Sequence, residues 1–450
     1  MLNDSSTIAA ISTAAGVGGI GIVRLSGSKA YSIAKNICQP DIQAYKVQFS
    51  TFKDFNGELI DKGIVLFFKS PHSFTGEDIV EFQGHGGPIV LNLILNACIQ
   101  FGAQIANPGD FTKRAYLNNK MDLAQAESVV DLINASTDVA AKSAINSLSG
   151  NFSIKINNLL EELIELRMYI EACLDFPEEE IDFITEGRVE DKLKRLSESM
   201  KEILLTAQQG QLLRDGINIV LIGQPNVGKS SLMNQLSGED KAIVTDIPGT
   251  TRDPISSDIS LEGIPVNIID TAGLRETEDV VEKFGIDKTW ASVSKAHIAL
   301  FIVEASSGIG KYEEAIIKQL PFDIKKIFIF NKIDLVQEKP RLEKNSDKVI
   351  VYISAKNGDG LSLLKNHMLS TIGKNQISEN SEGLFIARKR HVDALNLVGE
   401  ALKSGLVNLG APELVAEELV IAQKGLSSIT GEFSSDDLLG EIFSQFCIGK

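Results

Sequence analysis

A glycine-rich segment between an apolar run and a helical pattern constrains this chain more than any other feature. The segment is Gly223-Gln224-Pro225-Asn226-Val227-Gly228-Lys229-Ser230; it follows Ile217 to Ile222 and precedes Ser231 to Leu236. The order strand, G-x-x-x-x-G-K-S, helix is typical of a loop whose backbone N–H groups surround a phosphate. Lys229 supplies charge for the β- and γ-phosphates, Ser230 a hydroxyl for Mg²⁺, and the helix its positive N-terminus. The sequence therefore predicts a nucleoside triphosphate site.

Two further segments predict which nucleotide binds. An apolar run ends in Asp270-Thr271-Ala272-Gly273, where an aspartate can hold the Mg²⁺ shell through water and a glycine N–H can sense a γ-phosphate. Asn331-Lys332-Ile333-Asp334 follows the apolar run Ile327 to Phe330. A carboxylate at Asp334 accepts from two adjacent N–H donors of the guanine edge, which adenine lacks. These segments predict that the nucleotide is GTP.

A fourth segment completes the predicted guanine nucleotide domain. Ser354-Ala355-Lys356 follows the apolar run Val349 to Ile353 and suits a supporting loop over the base. All four motifs stand at the carboxyl ends of predicted strands, where open α/β sheets bind ligands. We therefore predict a GTP-binding domain over residues 215–378.

A polar segment precedes the Asp270 motif. It contains Thr245 to Asp253, and one of its threonines should complete the Mg²⁺ shell when GTP is bound; we assign Thr251. Leu274 stands where many regulatory GTPases carry a glutamine that orients water, so the water-positioning group must lie elsewhere. The charged residues nearby, each a solvated surface charge by default, are Arg252, Arg275 and Glu282.

Composition restricts partners and compartment. At 450 residues the chain is long for one core, so two or three domains are expected. The net charge of −16 argues against a broad phosphate-binding surface, so a nucleic-acid partner would need a local basic patch or another protein. Four dispersed cysteines and five histidines show no metal-ligand spacing, which favours a reducing, cytoplasmic compartment. No apolar run approaches the ~20 residues of a membrane span, and Ile8 to Val23 lacks the basic start of a signal peptide.

Residues 1–118 predict a domain that is mostly β with some helix. Its strand-like runs are Gly19 to Leu25, Gly63 to Phe68 and Asp78 to Phe82. Gly16 to Gly21 matches G-x-G-x-x-G literally, which would suit a nicotinamide-linked enzyme. A glycine-rich bend is the better interpretation, because a strand follows these glycines and no βαβ unit surrounds them.

Residues 119–212 and 380–450 have helical periodicity. Leu123 to Leu148 traces one long amphipathic helix, ended by Gly150. Further helices are predicted at Phe152 to Leu174, Val189 to Leu213, Leu414 to Leu426 and Ser434 to Phe446. Neither stretch can bury its apolar faces alone, so we predict one discontinuous helical domain with the GTPase domain inserted into it.

With the C-terminal run Phe446-Cys447-Ile448-Gly449-Lys450, these motifs resemble the MnmE (TrmE) family of tRNA-modification GTPases over essentially the whole chain. The resemblance implies a multidomain α/β and α+β fold. An N-terminal folate-binding, aminomethyltransferase-like α+β domain, which also dimerises, would accompany the discontinuous helical domain and the inserted Ras-like P-loop GTPase domain. Glu282 would orient the attacking water, and the further catalytic candidates are Arg252, Arg275 and Cys447.

The resemblance also implies a potassium ion in the phosphate site, beside Mg²⁺. The expected ligands of the two metals are Ser230, Thr251, Asn226, Thr245, Ile247 and Thr250. The residues expected to contact GTP and its ions are Asn226, Val227, Gly228, Lys229, Ser230, Ser231, Thr245, Asp246, Ile247, Pro248, Gly249, Thr250, Thr251, Asp270, Thr271, Ala272, Gly273, Asn331, Lys332, Asp334, Ser354, Ala355 and Lys356.

Four positions match the family's folate contacts: Arg24, Glu81, Lys120 and Lys450. Glu81 can accept from the amino-pyrimidine edge of a pterin, and Arg24 and Lys120 can meet carboxylates or carbonyls. The implied one-carbon donor is 5-formyl- or 5,10-methylene-tetrahydrofolate, shared across a homodimer. Without the resemblance, Arg24 and Glu81 would be interpreted as surface charges on strands.

The implied function is potassium-dependent GTP hydrolysis coupled to modification of uridine 34 in certain tRNAs. The flavin- and NADH-using protein MnmG (GidA) would join it in a heterotetramer or larger complex that installs an aminomethyl or carboxymethylaminomethyl group at carbon 5. A regulatory GTPase switch for ribosome or ribonucleoprotein assembly is the alternative. The role of Cys447 has two alternatives. It is either a thiol on a mobile chain end that can enter a neighbouring site, or a small buried apolar residue.

Overall fold

The computed structural model describes residues 6–39, 41–175, 188–237, 256–270, 296–322, 324–345, 348–371, 383–431 and 436–449. Within these ranges, no helix has the length and apolar character needed to cross a membrane.

The N-terminal part folds around one seven-stranded sheet. Its strands are β1 (Ile8–Ile11), β2 (Gly18–Ser26), β3 (Cys38–Gln39), β4 (Gln48–Lys53), β5 (Leu59–Phe68), β6 (Ile79–Gly86) and β7 (Gln104–Ile105). The strand order is β3-β4-β5-β6-β2-β1-β7. Its helices are α1 (Ala30–Ile37), α2 (Pro88–Gln100) and α3 (Asp110–Leu117). Alternate side chains of β2 and β6, among them Leu25 and Phe82, are buried in the core, as expected for a sheet covered on one face.

The glycines of β2 and β6 pair with each other. Gly18 lies opposite Gly86 and Gly21 opposite Gly84, in an antiparallel register. Strand β6 therefore continues past Phe82, where the sequence predicts its end. Because β2 and β6 are antiparallel neighbours, the glycines of the G-x-G-x-x-G match lie outside any βαβ unit, as expected. The expected bend before the strand is only partly right, because β2 already begins at Gly18 and its irregularity lies between Gly18 and Gly21.

In its described part, the first helical stretch contains four helices: α4 (Leu123–Ile133), α5 (Asp138–Leu148), α6 (Asn151–Asp175) and α7 (Val189–Asp215). The prediction of one long helix from Leu123 to Leu148 is wrong. Asn134 ends α4, and the side chain of Thr137 caps α5 by accepting from Ala140 N. A polar cap can restart a helix without interrupting the apolar periodicity on either side.

A second seven-stranded sheet follows α7. Its strands are β8 (Ile217–Ile222), β9 (Ser256–Leu261), β10 (Ile264–Asp270), β11 (Ile298–Glu304), β12 (Lys325–Asn331), β13 (Arg341–Lys344) and β14 (Val349–Tyr352). Its helices are α8 (Lys229–Ser237), α9 (Lys311–Gln319), α10 (Ile333–Val336) and α11 (Leu361–Thr371). The strand order is β13-β14-β12-β11-β8-β10-β9, antiparallel only at β9 and β13. Apolar clusters cover both faces, which explains the continuous apolar runs of the parallel strands.

The last helices return to the first ones. They are α12 (Lys389–Val407), α13 (Pro412–Thr430) and α14 (Asp436–Ser444). One buried cluster joins α12 and α13 to α6 and α7. The two helical stretches therefore share one core, although the second sheet separates them in sequence. Helix α14 packs through Phe443 against α4 and Tyr116 of α3. The predicted fold class, with a discontinuous helical domain and an inserted P-loop domain, is confirmed.

Candidate functional site

The phosphate loop begins where β8 ends. The ammonium of Lys229, at the start of α8, donates to the carbonyls of Gly223 and Gln224 at 2.6 and 3.2 Å. Asn226 is exposed and has a left-handed backbone, with a φ of 66°. Ser230 and Ser231 are exposed in the first turn of α8. The loop thus carries its cation and two hydroxyls at a helix N-terminus, the arrangement that binds phosphate.

Asn331 links the phosphate loop to the base-reading segments. Its buried Nδ2 donates to Val227 O at 2.8 Å, and its Oδ1 accepts from Ala355 N at 2.9 Å. Gly228 has a φ of 101°, and a Cβ there would lie 2.3 Å from Asn331 Nδ2. Glycine is therefore required at Gly228 on two grounds, backbone conformation and close approach.

Asp334 and Ser354 are neighbours in the structure. Ser354 Oγ donates to Asp334 Oδ1 at 2.6 Å, which orients the carboxylate and leaves its other oxygen for a ligand. Lys332 has a φ of 67° and forms an ion pair with Glu304, at the end of β11. Sequence reasoning missed Glu304, although β11 ends beside Asn331 in the strand register. Lys356 is exposed on the same loop as Ser354.

The γ-phosphate side of the site is described in part. Asp270 is the last residue of β10 and pairs with Leu221 of β8, so its backbone lies beside the start of the phosphate loop. The predicted site residues that lie outside the described ranges are Thr245, Asp246, Ile247, Pro248, Gly249, Thr250, Thr251, Arg252, Thr271, Ala272, Gly273, Arg275, Glu282 and Lys450.

A second polar site lies on the N-terminal sheet. Arg24 and Glu81 face each other across β2 and β6, and Arg24 Nε and Nη2 both contact Glu81 Oε1 at 2.9 Å. The guanidinium lies 5.9 Å from the ring centroid of Phe74, whose side chain is 37% exposed. Sequence reasoning missed Phe74, since one aromatic residue in a polar loop carries no periodic signal. The ring offers a stacking surface beside a fixed ion pair.

The C-terminal segment reaches this second site. The carbonyl of Gly449 accepts from Arg24 Nη1 at 3.3 Å and from Ser12 Oγ at 3.1 Å. Lys120 Nζ donates at 3.0 Å to Pro71 O, in the loop that carries Phe74. Arg24, Glu81 and the C-terminal segment are therefore brought together, and Lys120, which follows α3, contacts the loop that carries Phe74.

The cysteines differ in their environment. Burial raises the pKa of Cys38 to about 12 and also raises the pKa of Cys98, so both thiols stay protonated. Cys447 is exposed, and its carbonyl accepts from Gly109 N at 3.5 Å. The alternative of Cys447 as a small buried residue is therefore wrong. An exposed thiol two residues from Gly449 remains available for chemistry.

A Ras-like sheet with the phosphate and guanine segments at its strand ends, inserted into a helical domain, defines a multidomain P-loop GTPase. Comparison with known families is specific: the model for the MnmE helical domain matches residues 123–447, and the model for the GTP-binding protein TrmE N-terminus matches residues 7–120. The chain belongs to the MnmE family of tRNA modification GTPases.

Relatives of full length agree with this assignment. The tRNA modification GTPase MnmE of Nitrosomonas europaea is 50% identical over 452 residues, covering 100% of both chains. That of Coxiella burnetii (strain Dugway 5J108-111) is 51% identical over 454 residues, covering 99% of this chain and 98% of the relative. Among solved structures, an Aquifex aeolicus Era variant bound to GDP and AlF4⁻ is 25% identical, covers 41% of this chain and 66% of its own, and has a TM-score of 0.28.

Proposed function

We propose that this protein is a potassium-dependent GTPase that modifies the wobble uridine of certain tRNAs with a flavoprotein partner. The complex installs an aminomethyl or carboxymethylaminomethyl group at carbon 5 of uridine 34. The one-carbon unit derives from 5-formyl- or 5,10-methylene-tetrahydrofolate, bound to the N-terminal domain. GTP hydrolysis changes the conformation of the complex, in the cytoplasm, and does not itself form the carbon bond.

One observation carries the proposal: the C-terminal segment lies against the Arg24–Glu81 pair. Gly449 contacts Arg24 although 425 positions separate them, and exposed Cys447 is two residues away. A tail held only for stability would not need to place its backbone against a charged pair while leaving a nearby thiol exposed. This combination supports covalent or acid–base chemistry on a bound ligand.

The residues around this pair fit a folate. Both contacts from Arg24 end on Glu81 Oε1, so within the described residues Oε2 remains to accept from a pterin edge. The exposed ring of Phe74 can stack on a flat heterocycle. Lys120, with Lys450 beyond the described residues, can meet the carboxylates of the ligand tail. Bound tetrahydrofolate supplies the one-carbon unit; the chain's own residues bind and orient it.

Different residues of the nucleotide site bind the phosphates, the two metal ions and the attacking water. Lys229 and the N-terminus of α8 bind the β- and γ-phosphates, while Ser230 contributes a ligand to Mg²⁺. Asn226, which is exposed on the phosphate loop, is the one proposed potassium ligand that lies within the described residues. The potassium ion would offset charge that develops between the phosphates. Glu282 orients the attacking water. Thr251 completes the Mg²⁺ shell, and the remaining potassium ligands are Thr245, Ile247 and Thr250.

The potassium dependence has a direct test. GTP hydrolysis by the full chain is measured in potassium chloride and in sodium chloride at equal ionic strength. Strong stimulation by potassium and weak stimulation by sodium are expected, and Asn226→Ala should reduce the difference. Equal rates in the two salts would show that GTP hydrolysis does not depend on potassium.

A second copy of this chain is the proposed partner of the N-terminal domain. Val17, Ile20 and Ile89 are 91%, 71% and 74% exposed. They lie near one another because Gly18 pairs with Gly86, three residues before Ile89. An exposed apolar patch of this kind marks an interaction surface, and a homodimer would bury it symmetrically.

Binding of 5-formyl-tetrahydrofolate to the full chain tests the folate assignment by calorimetry. Glu81→Gln should weaken binding by about 10-fold or more, because a charged acceptor is lost. Glu58→Gln, an exposed carboxylate of the same domain, is the matched control and should bind normally. Absence of folate binding in the unmodified protein would favour a regulatory GTPase switch.

A further inference from the structure

Asp131 of α4 contacts both places where the chain passes between the helical core and the GTPase sheet. The first crossing runs from the end of α7 into β8. It contains Arg214, whose Nε lies 2.9 Å from Asp131 Oδ1. The second crossing, residues 383–388, leads into α12, and Arg388 Nη2 lies 3.0 Å from the same oxygen. Arg388 Nε lies 3.4 Å from Asp131 Oδ2. We call Asp131, Arg214 and Arg388 the Asp131 clamp.

Two of the three charged side chains of the clamp are buried. The side chain of Asp131 is 4% exposed and that of Arg388 is 9% exposed. Arg214 is 29% exposed, and its Nη1 also contacts Asp215 Oδ1 at 2.5 Å. Arg388 Nη1 lies 3.7 Å from Oε1 of buried Glu127, so each guanidinium meets a second carboxylate besides Asp131. Shared, buried charge-assisted contacts of this kind hold a defined geometry more firmly than exposed pairs do.

The second crossing is also held along its backbone. Ser147 Oγ accepts from Ile386 N at 2.8 Å, and Asn146 Nδ2 donates to Leu384 O at 2.9 Å. Gly210 of α7 lies so close that a Cβ there would be 1.9 Å from Phe385 O. The two crossings therefore touch each other as well as Asp131, and they form one joint.

The joint is continuous with the nucleotide site. Strand β8 starts two residues after Asp215 and ends at the phosphate loop, a span of roughly 20 Å for six residues. A parallel route starts at Thr137, whose Oγ1 donates to Gly263 O at 2.8 Å in the turn before β10. Strand β10 ends at Asp270. One strand thus leads from the joint, and a second from the α4–α5 connection of the same helical domain, to two phosphate-sensing positions.

We propose that Asp131 is a positioning residue that couples the GTPase domain to the helical domain during tRNA modification. The clamp sets the orientation of the GTPase sheet on the helical core. Nucleotide-driven movement is then passed to the helices that carry the C-terminal segment, whereas the chemistry of GTP hydrolysis is untouched. The inference concerns the established family activity and does not depend on the folate donor.

The test compares Arg214→Gln with Arg167→Gln. Arg214 and Arg167 are 29% and 30% exposed, and each contacts a carboxylate of the helical domain, but only Arg214 stands at a crossing. Arg214→Lys keeps the charge and serves as the conservative variant. Asp131→Asn removes the shared acceptor charge. Each full-length variant is assayed for GTP hydrolysis and thermal unfolding, and for the modified-nucleoside content of tRNA from cells in which it replaces the native copy.

Loss of coupling should separate the two activities. Arg214→Gln should keep kcat and KM for GTP within about two-fold of the unmodified protein. Its modified-nucleoside content should fall by about five-fold or more, the low end of measured couplings between sites. Arg214→Lys should retain most of the modification, and Arg167→Gln should match the unmodified protein. Asp131→Asn should follow Arg214→Gln.

Three results would overturn the proposal. The first is full tRNA modification by a folded Arg214→Gln protein. The second is an equal loss in Arg167→Gln, which would mean that any lost ion pair has this effect. The third is a parallel fall in GTP hydrolysis. If Asp131→Asn does not fold, the comparison among the Arg214 and Arg167 variants decides the matter.

Discussion

Replacing Asp334 by asparagine tests the guanine site at one atom. Ser354 Oγ already occupies Asp334 Oδ1 at 2.6 Å, which holds the carboxylate in one orientation. We therefore expect the free oxygen, Oδ2, to meet the N–H donors of guanine. In Asp334→Asn an amide N–H₂ can stand at that position, where it faces the same donors and cannot accept from them.

The expected loss follows from the hydrogen bonds removed. A hydrogen bond to a charged group contributes about 1.5–3 kcal/mol, and the charged oxygen that faces guanine is lost. A loss of about 2 kcal/mol corresponds to about 30-fold weaker binding of GTP and GDP. Xanthosine nucleotides, which present a carbonyl where guanine has its amino group, should gain affinity, because an amide can donate to that carbonyl.

Affinities are measured with fluorescent GDP and xanthosine diphosphate on the full chain. Asp359→Asn is the control, because Asp359 is exposed and meets Ser354 N through its backbone carbonyl, which the substitution keeps. Unchanged GDP affinity in Asp334→Asn would refute the assignment of this segment as the base reader. Weakened binding of both nucleotides by the same factor would instead indicate a collapsed loop.

Three other predictions concern hydrolysis, modification and stability. Glu282→Ala should lower kcat while GTP affinity stays near normal, because a carboxylate that orients water acts mainly in the transition state; a loss of affinity instead would contradict this role. Cys447→Ser should impair tRNA modification in cells while GTP hydrolysis and thermal stability persist, since the thiol is exposed; wild-type modification would exclude a chemical role. Burial alone would raise the pKa of Glu127, but His391 and Arg390 outweigh burial and hold it well below the usual range. The unfolding free energy that Glu127 contributes should therefore be present at neutral pH and decline as the pH falls below its unfolded value of 4.5, and urea titrations of Glu127→Gln should show a smaller decline.

The GTPase domain could be predicted from sequence because its signals are local. Each motif directly follows an apolar strand, so the carboxyl ends of β8, β10, β12 and β14 were assigned without knowledge of tertiary contacts. The break between α4 and α5 was not predicted, because Ile133 and Ala140 continue the same apolar face across Asn134. A cap that satisfies backbone groups leaves no mark on hydrophobic periodicity.

Contacts between distant segments could not be predicted. The approach of Gly449 to Arg24 depends on how α14 packs on α3 and α4, which the sequence of either end does not encode by itself. The pairing of Asp131 with Arg214 and Arg388 is of the same kind. The family resemblance supplied the folate residues by position, but not the ion pair or the exposed ring of Phe74 that gives them a geometry.

The nucleosides of tRNA from cells that lack this protein test the central claim most directly. Total tRNA is digested and analysed by mass spectrometry, with the deletion strain complemented by the unmodified gene or by Glu81→Gln. The aminomethyl-type modification at carbon 5 of wobble uridine should disappear in the deletion, return with the unmodified gene, and fail to return with Glu81→Gln. A deletion strain with unchanged wobble uridine modification would contradict it.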